Sequence, residues 1–163
     1  MQISAVGPAR EPLIVTVARS FVVNVPLRFA FEVANRVEDW PKMNPTCRTV
    51  EILESQGYRT RFRFTPRAGR GWTSSHYAHP YGCFSYTERH DPVSPIAAFQ
   101  YVRIYRELSP RQTEITEEIT CQLLAEHGRL EQRAASAINE HAAMVQPMIK
   151  AHVERCFAHA AVE

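Results

Sequence analysis

The chain has 163 residues, 45% of them hydrophobic and 22% charged, with 19 basic and 17 acidic side chains giving a formal net charge of +2. A chain of this length buries roughly two thirds of the surface its unfolded form exposes, enough for one core. The composition is too apolar for a disordered chain, and the charge is too balanced for a dedicated nucleic-acid binder. No apolar run approaches the roughly 20 residues that span a bilayer. Arg10 and Glu11 precede any hydrophobic stretch, which is not the layout of a secretion signal. Cys47, Cys83, Cys121 and Cys156 stand far apart without metal-ligand spacing, as expected of free thiols in a reducing cytoplasm.

In chain order, residues 1–12, with Gly7, Pro8 and Pro12, read as a loosely held leader, and 13–163 as one domain. Leu13 to Val25 alternates and is rich in β-branched residues, so it is predicted as a strand ended by Pro26. Pro26 is expected at the first helical position, with Leu27, Ala30, Phe31 and Ala34 as the apolar stripe of a short helix. Two prolines between Val37 and Pro45 place Trp40 and Met43 on a loop or broken helical turn.

From Thr46 the period becomes two. Strands are predicted at Thr46 to Leu53, Tyr58 to Thr65, Gly71 to Ala78, Gly82 to His90, Ala97 to Leu108 and Gln112 to Leu123. Gly57, Pro66 with Gly69, Pro80 with Gly82, Pro92 with Pro95, and Ser109-Pro110 mark the turns of an antiparallel meander. From about Gly128 the period returns to 3.6, with Ile138, Ala142, Val145, Ile149, Val153 and Cys156 on one stripe and Pro147 expected to kink the helix. The whole is an α+β helix-grip architecture: a curved seven-stranded antiparallel sheet around a long C-terminal helix, with two short helices after the first strand.

Alternation then sorts the strand side chains. Thr60, Phe62 and Phe64 face inward, and Arg59, Arg61 and Arg63 face solvent. Trp72, Ser74, His76 and Ala78 are the expected inward set of the next strand. Cys83, Ser85, Thr87 and Arg89 follow, chosen over Phe84, Tyr86 and Glu88 because small side chains leave volume for a ligand. Phe99, Tyr101, Arg103 and Tyr105 share a face, as do Ile115, Glu117, Ile119, Cys121 and Leu123. Glu117 is thus a carboxylate among apolar neighbours, and a short turn at Ser109 to Arg111 puts Arg103 opposite it as an interior ion pair or a partly exposed one.

The runs Ser20-Phe21-Val22-Val23-Asn24-Val25-Pro26, Val37-Glu38-Asp39-Trp40-Pro41, Val50-Glu51-Ile52-Leu53, Trp72-Thr73-Ser74-Ser75-His76 and Pro95-Ile96-Ala97-Ala98 resemble the bacterial polyketide aromatase/cyclases of the START-like superfamily, over about Ser20 to Glu154. The resemblance implies a pocket that receives a poly-β-ketone chain on an acyl carrier protein, aldol ring closure and dehydration, and no metal or redox cofactor. In that family an arginine often follows the Trp-x-Ser segment where this chain has His76. His76 is then the candidate acid/base, with Arg89 and Arg103 as fixed positive charges and Glu117 holding Arg103. Trp40, Trp72, Ser74, Phe99, Tyr101, Tyr105 and Asn139 are the candidate substrate-binding residues; ordinary core packing or solvation is the plainer alternative for each. His152 and His159 lie roughly 10 Å apart along a helix, so no metal site is expected. The row Arg59, Arg61, Arg63, with Arg67 and Arg70, is a candidate for steering an acidic carrier, and a hydrophobic patch for supporting a homodimer.

Overall fold

The structure is a computed structural model that describes residues 13–92, 96–123 and 131–161. The expected leader at 1–12 and the helix start near Gly128 lie outside the described residues. Seven strands form one antiparallel sheet: β1 Leu13–Val23, β2 Cys47–Gln56, β3 Arg59–Pro66, β4 Trp72–His79, β5 Phe84–Arg89, β6 Ile96–Ser109 and β7 Gln112–Leu123. The spatial order is β1-β7-β6-β5-β4-β3-β2. Strands β2 to β7 thus form a meander, and β1 closes onto β7 across a full eleven-residue register from Leu13↔Leu123 to Val23↔Thr113.

Between β1 and β2 the chain makes helix α1, Leu27–Ala34, a 3-10 turn at Val37–Asp39, and the single turn α2, Trp40–Met43. Pro26 precedes α1 rather than opening it, in extended backbone with φ −58° and ψ 148°. The sequence reading of the Val37 to Pro45 segment as broken helix holds: Pro41 sits in the first turn of α2, and Asn44 ends it in extended backbone. The Asn44 side chain then accepts hydrogen bonds from the Thr46 N–H at 3.0 Å and hydroxyl at 2.8 Å, which turns the chain into β2.

Helix α3, Glu131–Ala160, runs through Pro147, which stands on its exposed side. It packs across β1, α1 and α2. The predicted stripe is the buried one: Ala142, Val145, Ile149 and Val153 meet Val23, Val25, Ala30, Phe31, Met43 and Ile115 in the main core. A second cluster of Val37, Cys47, Phe62 and Phe64 lies under Trp40 and Trp72. Phe62 and Phe64 are buried while Arg61 and Arg63 are exposed, so alternation along β3 assigns the concave face correctly.

Strand ends shift by one to three residues from the sequence reading, and at one of them the shift changes what a residue does. β5 begins at Phe84, because Pro80 to Cys83 form a turn in which Cys83 takes a left-handed φ of 50°. Cys83 is therefore a turn residue, its thiol 3.7 Å from the Pro80 carbonyl oxygen, and it packs against the main core without lining the cavity described below.

Ile149 is fully buried at the meeting of α3 with the sheet and α1. Ile149→Ala should cost about 2–5 kcal/mol in urea unfolding. Met144→Ala, on the exposed side of the same helix, should stay within about 0.5 kcal/mol of the parent.

Candidate functional site

Between the concave face and α3 lies a cavity of about 290 Å³, at the lower end of the size range of small-molecule sites. The sheet contributes Trp72 and Ser74 from β4, Thr87 and Arg89 from β5, Phe99, Tyr101 and Arg103 from β6, and Glu117, Ile119 and Cys121 from β7. Trp40 closes one side, and α3 supplies Ala137, Ile138, His141, Ala142 and Val145. The space exists because Ser74, Thr87, Cys121, Ala137 and Ala142 are small where the opposing layers come together.

Its first polar group is an ion pair. Arg103 and Glu117 are direct cross-strand partners, as the short β6–β7 turn predicts. Arg103 Nε donates to Glu117 Oε1 at 3.0 Å, and the two side chains are only 5% and 2% exposed. Such a pair survives burial only when its remaining hydrogen-bonding capacity is met. Arg103 Nη1 donates to the Ala34 carbonyl oxygen at 2.8 Å, at the C-terminal end of α1, where unpaired carbonyls favour a cation. Gln146 from α3 donates to Glu117 Oε2 at 3.2 Å. The Tyr101 hydroxyl accepts from Arg103 Nε at 2.7 Å and donates to Glu117. Burial works against the charged guanidinium, but Tyr101, Tyr105 and Glu117 outweigh it and raise the Arg103 pKa. Burial likewise pushes the Tyr101 hydroxyl far above its usual range, with Arg103 only partly opposing it.

The second polar group is Arg89. Its guanidinium carbon lies 3.8 Å from the centre of the Trp72 ring and 5.0 Å from that of Phe99. Arg89 Nε and Trp40 Nε1 are buried and have no hydrogen-bond partner among the described residues. Burial lowers the Arg89 pKa, with the nearby Cys121 thiol opposing. A guanidinium remains charged at neutral pH even so. The cavity thus holds one neutralised arginine and one that, among the described residues, is held by ring faces.

Three sequence-based candidates fall outside this cavity. His76 points from β4 into packed protein: its ring is 5.5 Å from Trp40, its Nδ1 is 2.8 Å from the Thr87 hydroxyl, and its Nε2 has no partner among the described residues. Burial, reinforced by the positive charge of Arg103, lowers its pKa to about 3. A histidine in that setting is neutral across the physiological range and stands behind the Trp40 and Thr87 that line the cavity rather than in the lining itself, so the structure does not bring it into the site as expected. Tyr105 is inward but lies beyond the cavity, edge-on to Phe31 with its hydroxyl 3.3 Å from Asn35 Oδ1. Asn139 is exposed, and its amide turns back to the Ala135 carbonyl of its own helix at 3.1 Å. Trp40, Trp72, Ser74, Phe99, Tyr101, Arg89, Arg103 and Glu117 all line the space.

His141 is the lining residue that sequence reasoning missed. It sits three residues after Ile138 and four before Val145, on the very stripe that marks the buried face of α3. Burial lowers its pKa, with Glu117 opposing, so the neutral imidazole dominates near pH 7.

Comparison with known proteins agrees with this geometry. No protein-family model matches the chain. A protein from Streptomyces halstedii named "Putative polyketide cyclase" is 38% identical over 55 residues, 32% of this chain and 50% of that one. The match therefore spans half the length of that curated relative. Among solved structures, the Zhui aromatase/cyclase from Streptomyces sp. R1128 superposes with a TM-score of 0.78 at 16% identity, over 88% of this chain and 95% of that one. A START superfamily protein from Mycobacterium smegmatis does so with a TM-score of 0.69 at 17% identity, over 86% and 98%. This is the START-like helix-grip fold. Its structural neighbours are polyketide aromatase/cyclases and START-superfamily proteins.

Two measurements probe the START-like site. Arg103→Met strands the Glu117 carboxylate in the interior and should cost about 3–5 kcal/mol, most of it recovered in the double variant Arg103→Met/Glu117→Leu. For His76, the folded pKa of about 3 lies below the ordinary 6.5. Between those values the unfolded chain binds the extra proton, so stability falls as pH is lowered through that window, by up to about 1.4 kcal/mol per pH unit. His141 adds a contribution of the same sign. His76→Asn should show a shallower decline in chemical unfolding followed from pH 7 to 4.

Proposed function

We propose that this protein binds a poly-β-ketone chain presented by an acyl carrier protein and promotes its aldol ring closure and dehydration to an aromatic ring. The observation that carries this reading is Arg89: a positively charged group in a cavity wall, backed by Trp72, with a buried donor that has no partner among the described residues and suits an oxygen of the ligand. A ketone oxygen that gains charge on enolisation is the kind of acceptor such a donor stabilises. The fold, and the names carried by proteins similar to this chain, support the same substrate class.

The chemistry asks for proton transfers and stabilisation of negative oxygen, neither of which calls for a metal or redox cofactor. In this reading His141 takes a proton from an activated methylene group. The enolate, its oxygen held by Arg89, attacks a second carbonyl along the folded chain. The imidazolium protonates the alkoxide so formed; the neutral imidazole then takes the second proton of that methylene carbon and delivers it to the departing hydroxyl, so that water leaves as the carbon–carbon double bond forms. Arg103, fixed by Glu117 and Tyr101, polarises a carbonyl at the inner end of the cavity. Trp40, Trp72 and Phe99 form flat walls that keep the chain bent.

Arg67 and Arg70 are exposed on the β3–β4 connection, and Arg67 Nε holds the Pro45 carbonyl oxygen at 2.9 Å, beside Asn44 and Thr46 of the cavity lining. Arg63 is occupied by Glu51 at 3.0 Å. The steering charge for an acidic carrier therefore falls to the Arg67–Arg70 end, and the association rate should drop as ionic strength rises. The four unpaired cysteines suit a cytoplasmic setting.

The predominance of ring and hydrocarbon surface in the lining favours a second reading, a carrier of a hydrophobic molecule without catalysis. Reconstitution with a minimal polyketide synthase and its carrier protein separates the two. Under the catalytic reading the aromatic product appears with this protein present, and Arg89→Gln lowers its rate of formation about 100-fold while a fluorescent apolar probe still binds. His76→Asn should leave turnover within a few-fold. An unchanged product profile with a rise in soluble, uncyclised intermediate establishes the carrier reading instead.

A further inference from the structure

The outer face of the sheet, away from the cavity, carries an apolar patch that nothing in the site explains. Following register, Arg59, Tyr77, Tyr86, Val102 and Glu118 form one row across β3, β4, β5, β6 and β7. The adjacent row is His79, Phe84, Ile104 and Thr116. Phe84 is 41% and Ile104 52% exposed, and Tyr81 in the β4–β5 turn is 84% exposed. His79 lies parallel to Phe84 at 5.6 Å and tethers Tyr81 at 6.3 Å. Aromatic and branched apolar residues placed side by side on three central strands, with polar residues at the margins, have the layout of an interface with an apolar core and a polar rim.

The two sides of the patch differ in sign. The half-buried Arg59 and the exposed Arg61 stand on β3, with Glu54 of β2 directly across from Arg61, and the exposed Glu118 stands on β7. Arg61 and Glu118 have no ion-pair partner among the described residues. A two-fold axis lying in the face along β5 places Tyr86 against Tyr86, Phe84 against Phe84, Tyr77 against Val102, and Arg59 of one copy over Glu118 of the other. An axis at right angles to the strands would set arginine against arginine. Five strands by three rows of outward residues span about 24 by 20 Å, roughly 480 Å² in projection, the scale of a small interface rather than the roughly 800 Å² per partner of a standard one. A net charge of only +2 puts little repulsion between copies.

We propose that the outer face of β3–β7 is the isologous interface of a homodimer, two sheets stacked back to back about an axis along β5, with Arg59 of each copy paired to Glu118 of the other. The two cavities then face away from each other and both remain open to ligand. Glu88, one row beyond Tyr86, sits at the rim near the axis, where solvent must separate it from its own copy.

Sedimentation equilibrium of the full chain tests this. At about 100 μM, well above a micromolar Kd, the mass should be twice the 18.6 kDa of one chain. Ile104→Glu, at a half-exposed position that leaves the melting temperature unchanged, should weaken association at least about 100-fold. Arg59→Glu and Glu118→Arg should each weaken it about 10-fold, and the double exchange should restore it. A monomer at that concentration overturns the proposal, as does a dimer indifferent to Ile104→Glu. A double exchange no tighter than either single change refutes the stated axis.

Discussion

The buried ion pair of Arg103 and Glu117 ties together every layer that surrounds the cavity. Its charges come from β6 and β7, its spare guanidinium donor holds the last carbonyl of α1, and its spare carboxylate oxygen is held by Gln146 of α3. Charges so deeply buried tolerate little displacement, since the desolvation they suffer is offset only while each bond is made. The sheet, the short helix and the long helix are thereby held at one spacing. That spacing leaves a hollow where a purely hydrocarbon contact would be free to collapse.

Within the hollow the two arginines have different fates. Arg103 is neutralised by Glu117 and satisfied by neighbours, so it serves chiefly as structure that also presents a positive edge. Arg89 is paired to ring faces, which stabilise a cation by about 0.5–2 kcal/mol without accepting its hydrogen bonds. A buried charge in that condition gains most from a ligand oxygen. His141 and the Tyr101 hydroxyl lie along the same lining, which gathers an imidazole, a hydroxyl and a cation around one cavity.

Much of this was legible along the chain. Alternation in β3 and β7 separates Phe62 and Phe64 from the arginines, and Glu117 from Glu114 and Glu118, because one sheet face is wet and the other dry. A short turn at Ser109–Arg111 makes the Arg103↔Glu117 pairing a matter of counting. The failures are equally specific. Facing inward is not the same as facing the cavity: His76 and Tyr105 both obey alternation, yet one is covered by Trp40 and the other by Phe31. Asn139 stands on the solvent side of α3. His141 lies on the buried stripe, and its place in the cavity wall depends on how α3 crosses the sheet, which the sequence does not set.

Periodicity, turn residues and strand length alone determine the α+β architecture, the strand order of the meander and the sign of each sheet face, since all of these follow from backbone geometry and the avoidance of buried unpaired charge. Where the void lies, which inward side chains reach it, and that Arg89 Nε has no acceptor among the described residues were decided only by packing. Those properties depend on which helix covers which part of the sheet and on side-chain volumes summed across residues more than a hundred positions apart. No local rule carries such sums, and only the assembled layers perform them.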